Sequence, residues 1–164
     1  MALHIQEGYF YHIKDSFFSL VQDVTLMTNR EGGGYRPHFL AIRDSDNIDL
    51  YWMIPVSSRI EKYEKIYNAQ IRKYHKCTKI VLGKCGGNDA AFLVQNAFPI
   101  TVDFIDHIHT ISNHPLRMHE STAKIIAQNL KENLALYSRG VNVFFTDINK
   151  VYGLMESHLQ NQHR

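Results

Sequence analysis

Apolar residues follow two rhythms along this chain: short aromatic and β-branched runs, mostly in its first two thirds, and stripes recurring at three- and four-residue steps. Residues 39–43 and 48–54 are two such runs. Asp44-Ser45-Asp46-Asn47 between them has the composition of a turn, which predicts a β-hairpin. Pro55 cannot donate to a sheet ladder, so the second strand is expected to end there. Ser57 or Ser58 then stands where a helix needs its N-cap, and Glu61, three residues after Ser58, completes a capping-box pattern. His38 at the start of one strand and the two serines past the end of the other are thereby brought to one edge of the hairpin.

The same reading predicts a strand over residues 8–14, where Tyr9, Tyr11 and Ile13 alternate with Phe10 and His12 and both faces are buried. Asp15 or Ser16 is expected to cap a short helix over 17–23. Residues 28–34, TNREGGG, read as a mobile loop; they lack the GxxxxGK[ST] pattern of a nucleotide-binding loop. A helix follows over 58–75, with Ile60, Tyr63, Tyr67, Ile71 and Tyr74 on one side and Lys62, Lys65, Arg72, Lys73 and Lys76 on others. Residues 79–82 and 90–95 form a second hairpin around Gly86-Gly87-Asn88-Asp89, Phe98-Pro99 stops its second strand, and 103–109 are expected as a short helix. After an extended segment at 115–118, Ser121 or Thr122 caps a helix to 138 with Gly140 as its C′ residue, and Thr146 caps a last helix over 147–159. Strands and helices mix without regular βαβ alternation, which predicts an α+β fold on a twisted antiparallel sheet, in one domain over 1–164.

Composition agrees: 164 residues, 45% hydrophobic and 12% aromatic, suit one domain with a real core. Cys77 and Cys85 form no CxxC pair, which argues against a disulfide framework or a cysteine-built zinc site and suggests a reducing cytoplasm. Residues 1–14 lack the pattern of a signal peptide, and no apolar run has the length of a membrane helix. Charge adds more. Net charge is +2 overall, yet residues 59–84 hold eight Lys and Arg against Glu61 and Glu64, a local excess of +6. Such a block is what a polyanion site looks like, although a charge run alone is more often a solvated helix face.

A Tyr-x-Pro-His-Phe strand start at Tyr35–Phe39, an apolar strand closing in Ile-Pro-Val-Ser-Ser, and a basic helix after it resemble the toxins of type III toxin–antitoxin systems, most of all the CptN group, related to ToxN and AbiQ. FLVQNAFPIT, residues 92–101, resembles that group's second shared stretch, so the resemblance spans most of the chain. It implies a Kid/MazF-like, partly open barrel with flanking helices. It also implies a metal-independent, sequence-selective endoribonuclease without cofactors that leaves a 2′,3′-cyclic phosphate. Cellular RNA would be its substrate. A small repetitive RNA pseudoknot, processed from a precursor, would hold it inactive in a hetero-oligomer with several copies of each.

In RNA the 2′-hydroxyl is itself the nucleophile, so such a protein has only to move protons and stabilise charge on the phosphorus oxygens. The resemblance makes His38, Ser57, Ser58 and Tyr35 the catalytic candidates. His38 titrates near neutrality when unperturbed, and helix N–H groups beside the serines favour an anion. The ToxN relatives carry a lysine where the resemblance sets His38, and a threonine-serine pair matches Ser57-Ser58. Arg36 and the basic-segment residues Arg59, Lys62, Lys65, Arg72, Lys73, Lys76 and Lys79 are the expected RNA contacts. Taken without the resemblance, His38 hydrogen-bonds a neighbouring carbonyl and the serines cap a helix. A metal site among His107, His109, His114 and His119 ranks below scattered surface histidines, because the helix expected at 103–109 separates the first two. An RNA-binding module that does not cut is the second reading.

Overall fold

The computed structural model describes residues 4–164. In chain order its elements are β1 (Phe10–Ile13), α1 (Asp15–Val21), β2 (Arg30–Glu31), β3 (Gly34–Tyr35), β4 (His38–Arg43), β5 (Leu50–Ser57), α2 (Ile60–Tyr74), β6 (Val81–Cys85), β7 (Asn88–Phe92), β8 (Phe98–Thr101), β9 (Ile105–Ile108), β10 (Thr110–Ile111), β11 (His114–Pro115), α3 (Glu120–Ser138) and α4 (Ile148–Gln162). Seven strands pair antiparallel in the order β6-β7-β5-β4-β1-β9, with β8 attached to β5. This is the expected α+β architecture. The path is open: β6 and β9 end it, and no pairing among the described residues closes a barrel.

Pro55 does not end its strand. The first half of β5 pairs with β8, from Leu50↔Thr101 to Met53↔Phe98, and its end pairs with β7 through Val56↔Phe92 and Ser57↔Ala91. Pro55 falls at the changeover, where a missing N–H costs no ladder bond and its carbonyl accepts from the Leu93 N–H at 3.0 Å. The strand therefore carries Ser57 beyond the hairpin and onto a second neighbour.

Core packs on both faces of the sheet, as the near-continuous burial of β4 and β5 requires. Phe10, Phe39, Trp52, Ile54 and Phe92 meet Ile126 and Leu130 of α3 on one face. Tyr11, Leu40, Met53 and Phe98 meet Phe17 of α1 and Val151 and Met155 of α4 on the other. The basic helix α2 lies on a small satellite cluster, with only Tyr63 of its apolar stripe fully buried.

Several local expectations change. Residues 103–109 are not a helix: a 3₁₀ turn at Val102–Phe104 leads into β9, which pairs with β1. Cross-strand pairing outweighs local propensity there. Residues 28–34 are not a loop but the β2–β3 hairpin, turned by Gly32 and Gly33 at φ 61 and 85. Neither serine holds the cap position of α2, which falls to Arg59 without a side-chain bond; both hydroxyls donate to Glu31, and Ser57 Oγ also accepts from the Arg59 N–H at 3.2 Å, one residue ahead of the helix. Lys14 and His119 stand at the caps of α1 and α3 without side-chain bonds, and Asp147, not Thr146, caps α4 by accepting from Lys150 N–H at 3.2 Å. Gly140 does end α3 with φ 88. No described helix is long and apolar enough to cross a membrane.

Candidate active site

A cleft of about 260 Å³ opens where the end of β5 meets β3 and the β6–β7 hairpin; Tyr35, Ser57, Ser58, Glu31 and His109 line it. Three of the four catalytic candidates thus meet in one hollow. A larger one of about 740 Å³, between the β4–β5 turn and helices α3 and α4, contains none of them.

Glu31 organises the cleft. Its Oε2 accepts from Ser57 Oγ at 2.8 Å and Arg36 Nη1 at 2.8 Å; its Oε1 accepts from Ser58 N at 2.7 Å and Ser58 Oγ at 2.6 Å. Burial acts to raise its pKa, but the bonds from Ser58 and Ser57 and the Arg36 charge outweigh burial and hold it at about 2, against an ordinary 4.5. Two hydroxyls, a backbone N–H at the foot of α2 and a guanidinium thus converge on one carboxylate, a donor set equally suited to a phosphate.

Tyr35 is 45% exposed, and Arg30 crosses its ring at 4.2 Å. The Tyr35 hydroxyl donates to Asp15 Oδ2 at 2.9 Å and accepts from Arg30 Nη2 at 2.7 Å, so the ring is fixed at the rim. Burial pushes the Cys85 thiol of the same cleft up to about 11, so it stays protonated at neutral pH.

His38 does not join the cleft. Its side chain is fully buried on the α1 face, 5.6 Å from Phe98 and 6.3 Å from Phe18 between ring centres. Nδ1 lies 3.1 Å from the Arg36 carbonyl, the bond expected of a structural histidine, and Nε2 has no partner. Burial first, then the Arg36 charge, lower its pKa to about 3, which keeps the ring neutral. The alternation of β4 explains this: His38 shares a face with Leu40, inside the core. Arg36 is likewise spent within the fold. It is 3% exposed, and besides Glu31 it donates to the Val56 and Thr28 carbonyls at 2.8 and 2.9 Å, so its guanidinium is held at the floor of the cleft behind Glu31 and not on the outer surface with the α2 cations.

Of the basic segment, Arg59, Lys62, Lys65, Arg72 and Lys73 are exposed on or beside α2. Arg72 and Lys73 lie in its last turn, where they also complement the helix dipole. Lys76 pairs with Glu132 at 2.6 Å, and Lys79 is half-buried. The sequence offered no reading of Glu31, hidden in a glycine-rich stretch that reads as a loop, and offered His109 only for a metal site, set apart from His107 by the helix expected at 103–109. The His-x-His spacing was the signal for the latter, once those residues are taken as a strand. Among the described residues no group of three or more His, Cys, Asp or Glu side chains is arranged to hold a metal ion.

No protein-family model and no curated protein matches the sequence. Solved structures do match. AbiQ, a lactococcal anti-phage endoribonuclease of the type III toxin–antitoxin system, superposes with a TM-score of 0.70 at 11% identity, over 94% of this chain and 99% of its own. A structure from a bacterial type III toxin–antitoxin system, in which a non-coding RNA pseudoknot selectively inhibits the toxin, gives 0.65 at 12% identity, over 93% and 98%. The chain therefore has the fold of these type III toxins along nearly its whole length.

Proposed function

We propose that this protein is a metal-independent, sequence-selective endoribonuclease toxin of a type III toxin–antitoxin system, of the CptN group, working in the cytoplasm. It cuts RNA by attack of the 2′-hydroxyl, leaves a 2′,3′-cyclic phosphate, and is inhibited in a hetero-oligomer by a small repetitive pseudoknot RNA that it processes. On this reading the open sheet is the counterpart of the partly open Kid/MazF-like barrel. One observation carries the proposal: on a fold shared with AbiQ over 94% of the chain, Tyr35, Ser57 and Ser58 line one cleft at the foot of the basic helix.

The scissile phosphate takes the place of the Glu31 carboxylate, receiving the donors of Ser57, Ser58 and Arg36, while Tyr35 holds a flanking base by stacking. The two-residue β2–β3 ladder with glycines at its turn is the part that gives way. Arg59, Lys62 and Lys65 guide the RNA backbone. The burial of His38, the expected proton carrier, favours a second reading: a module that binds RNA without cutting.

Incubating end-labelled RNA with the protein in EDTA and analysing the new ends separates the two. Cyclic phosphate ends whose yield drops in Ser58→Ala, together with tight binding of tandem-repeat RNA encoded just upstream of the gene, support the toxin. Binding without scission, with or without divalent metal, leaves the binding module.

A further inference from the structure

A second concentration of titratable side chains adjoins the serine cleft, at the β1–β9 edge. His12 on β1 is in register with His107 on β9, and their rings stack at 4.7 Å. His109 follows β9, fixed by its backbone N–H donating to the Phe10 carbonyl at 2.8 Å. Its ring centre lies 4.9 Å from that of His12, and His12 Nε2 is 2.8 Å from His109 Nδ1, so one proton is shared between two imidazoles. His109 lines the serine cleft; His12 and His107 line the neighbouring hollow, and Tyr35 borders both.

The surroundings favour neutral rings. Burial first, then the imidazoles of His109 and His107, bring His12 down to about 4, with Asp106 opposing; burial and His107 also lower His109. His107 Nδ1 lies 2.5 Å from Asp106 Oδ2. The other titratable and charged groups around the pair are Lys14, Asp15 and Tyr35 at the second hollow, Glu31, Arg36, Cys85 and Asp89 at the cleft, and the buried His38, which feels the His12 charge. Histidines placed only for solubility would stay apart and hydrated; these two are half-buried and bonded to each other.

We propose that His109 is the general base of the RNA-cleaving step and that His12 is its positioning partner, an inference that rests on the ribonuclease reading above. With the shared proton on His109 Nδ1 and donated to His12 Nε2, the other nitrogen of His109 carries a free lone pair. It takes the ribose 2′-hydroxyl proton as the O2′–P bond forms and the P–O5′ bond breaks. Solvent water protonates the departing 5′-oxygen, and His109 afterwards returns its proton to solvent. His12 stays neutral, fixes the tautomer and accepts from the imidazolium that forms, as the orienting group of a catalytic triad does.

The test is single-turnover cleavage of labelled RNA in EDTA across the acid-to-neutral range, with RNA affinity and thermal unfolding measured on the same proteins. His109→Ala is expected to cut roughly 10²- to 10⁴-fold more slowly while still binding RNA, and added imidazole to restore part of the rate. His12→Ala is expected to lose about tenfold and to move the acidic limb of the profile downward, because it removes the acceptor that stabilises the His109 imidazolium. If His109→Ala fails to fold, His109→Gln, which keeps a hydrogen-bonding group towards His12, is judged in its place by the same loss. Wild-type scission with an unimpaired His109 variant overturns this assignment and leaves the ribonuclease standing. RNA binding without scission in the wild type overturns both, and scission that vanishes in EDTA and returns with zinc replaces both with a metal hydrolase.

Discussion

Replacing Glu31 with glutamine keeps its shape and removes its charge, and the structure makes opposite predictions for folding and for RNA. The carboxylate accepts from Ser57, Ser58 and Arg36, and its pKa of about 2 against an ordinary 4.5 means the folded state favours the ionised form. By linkage that preference is worth about 3 kcal/mol at neutral pH; with the side chain at the lip of a solvent-filled cleft, about 2 kcal/mol is the expected share. A group with a depressed folded pKa contributes above its unfolded value and loses its contribution as pH falls. The wild-type advantage over Glu31→Gln should therefore be complete above about pH 4.5 and fade towards pH 2. At neutral pH the melting temperature should drop by roughly 4–8 °C for a domain of this size.

The same interaction energy opposes RNA, since a phosphate entering the cradle has to displace the carboxylate. Removing that charge should tighten binding of a non-cleavable RNA by up to roughly 30-fold, the equivalent of about 2 kcal/mol. Thermal unfolding by circular dichroism and RNA titration at fixed salt measure the two arms. A variant that melts lower and binds RNA more weakly would refute the idea that Glu31 stands where a phosphate goes. A melting temperature unchanged from acid to neutral pH, relative to wild type, would refute the linkage argument.

Two further outcomes follow from the geometry. Lys62→Ala and Lys65→Ala, both exposed on α2, should leave the melting temperature unchanged and weaken RNA binding across sequences. Each should also lower the slope of log affinity against log salt by about 0.7 for every phosphate of single-stranded RNA that the lysine neutralises in the wild type. His38 and His12 are neutral in the fold, at about 3 and about 4, yet free to charge in the unfolded chain. Stability should fall with acidity below about pH 6.5, by at most about 1.4 kcal/mol per pH unit for each ring, until their folded values are reached. His38→Leu, read by denaturant unfolding at several pH values, should flatten that decline; an unchanged slope would show that His38 is not the neutral core group described.

How much of this was legible in the sequence depended on whether a signal was local. The existence of the β4–β5 hairpin, of a hairpin turned at Gly86-Gly87 and of helix α3 rests on alternation, turn chemistry and three- to four-residue spacing, and these elements formed, with strand bounds shifted by tertiary pairing. Tyr35 reaches the cleft from β3, and Ser57 and Ser58 reach it because the end of β5 passes the β4 hairpin and pairs with β7. Glu31 was illegible because its serine partners lie 26 and 27 positions away and its Gly-rich surroundings read as loop. Residues 103–109 misled because Ile105 and Ile108 suit either class, and only pairing with β1 selects the strand. His38 misled through parity: adjacent strand residues face opposite sides, and its side chain follows Leu40 inward.

The two histidine findings are one consequence of that parity. At the start of β4, register sets His38 opposite Pro55 and Tyr11, and its side chain is committed to the core beneath α1. One strand further along the sheet, β1 turns Tyr11 and Ile13 into that core and leaves His12 half-buried, with His107 directly opposite on β9. His109, two residues beyond His107, falls on the same side and reaches the cleft. Because β5 changes neighbour at Pro55, Ser57 and Ser58 arrive at this same place instead of continuing along β8. His109 is thus the imidazole that lines the serine cleft, and moving His38 outward would require a one-residue slip of β4 that exposes Leu40 along with it.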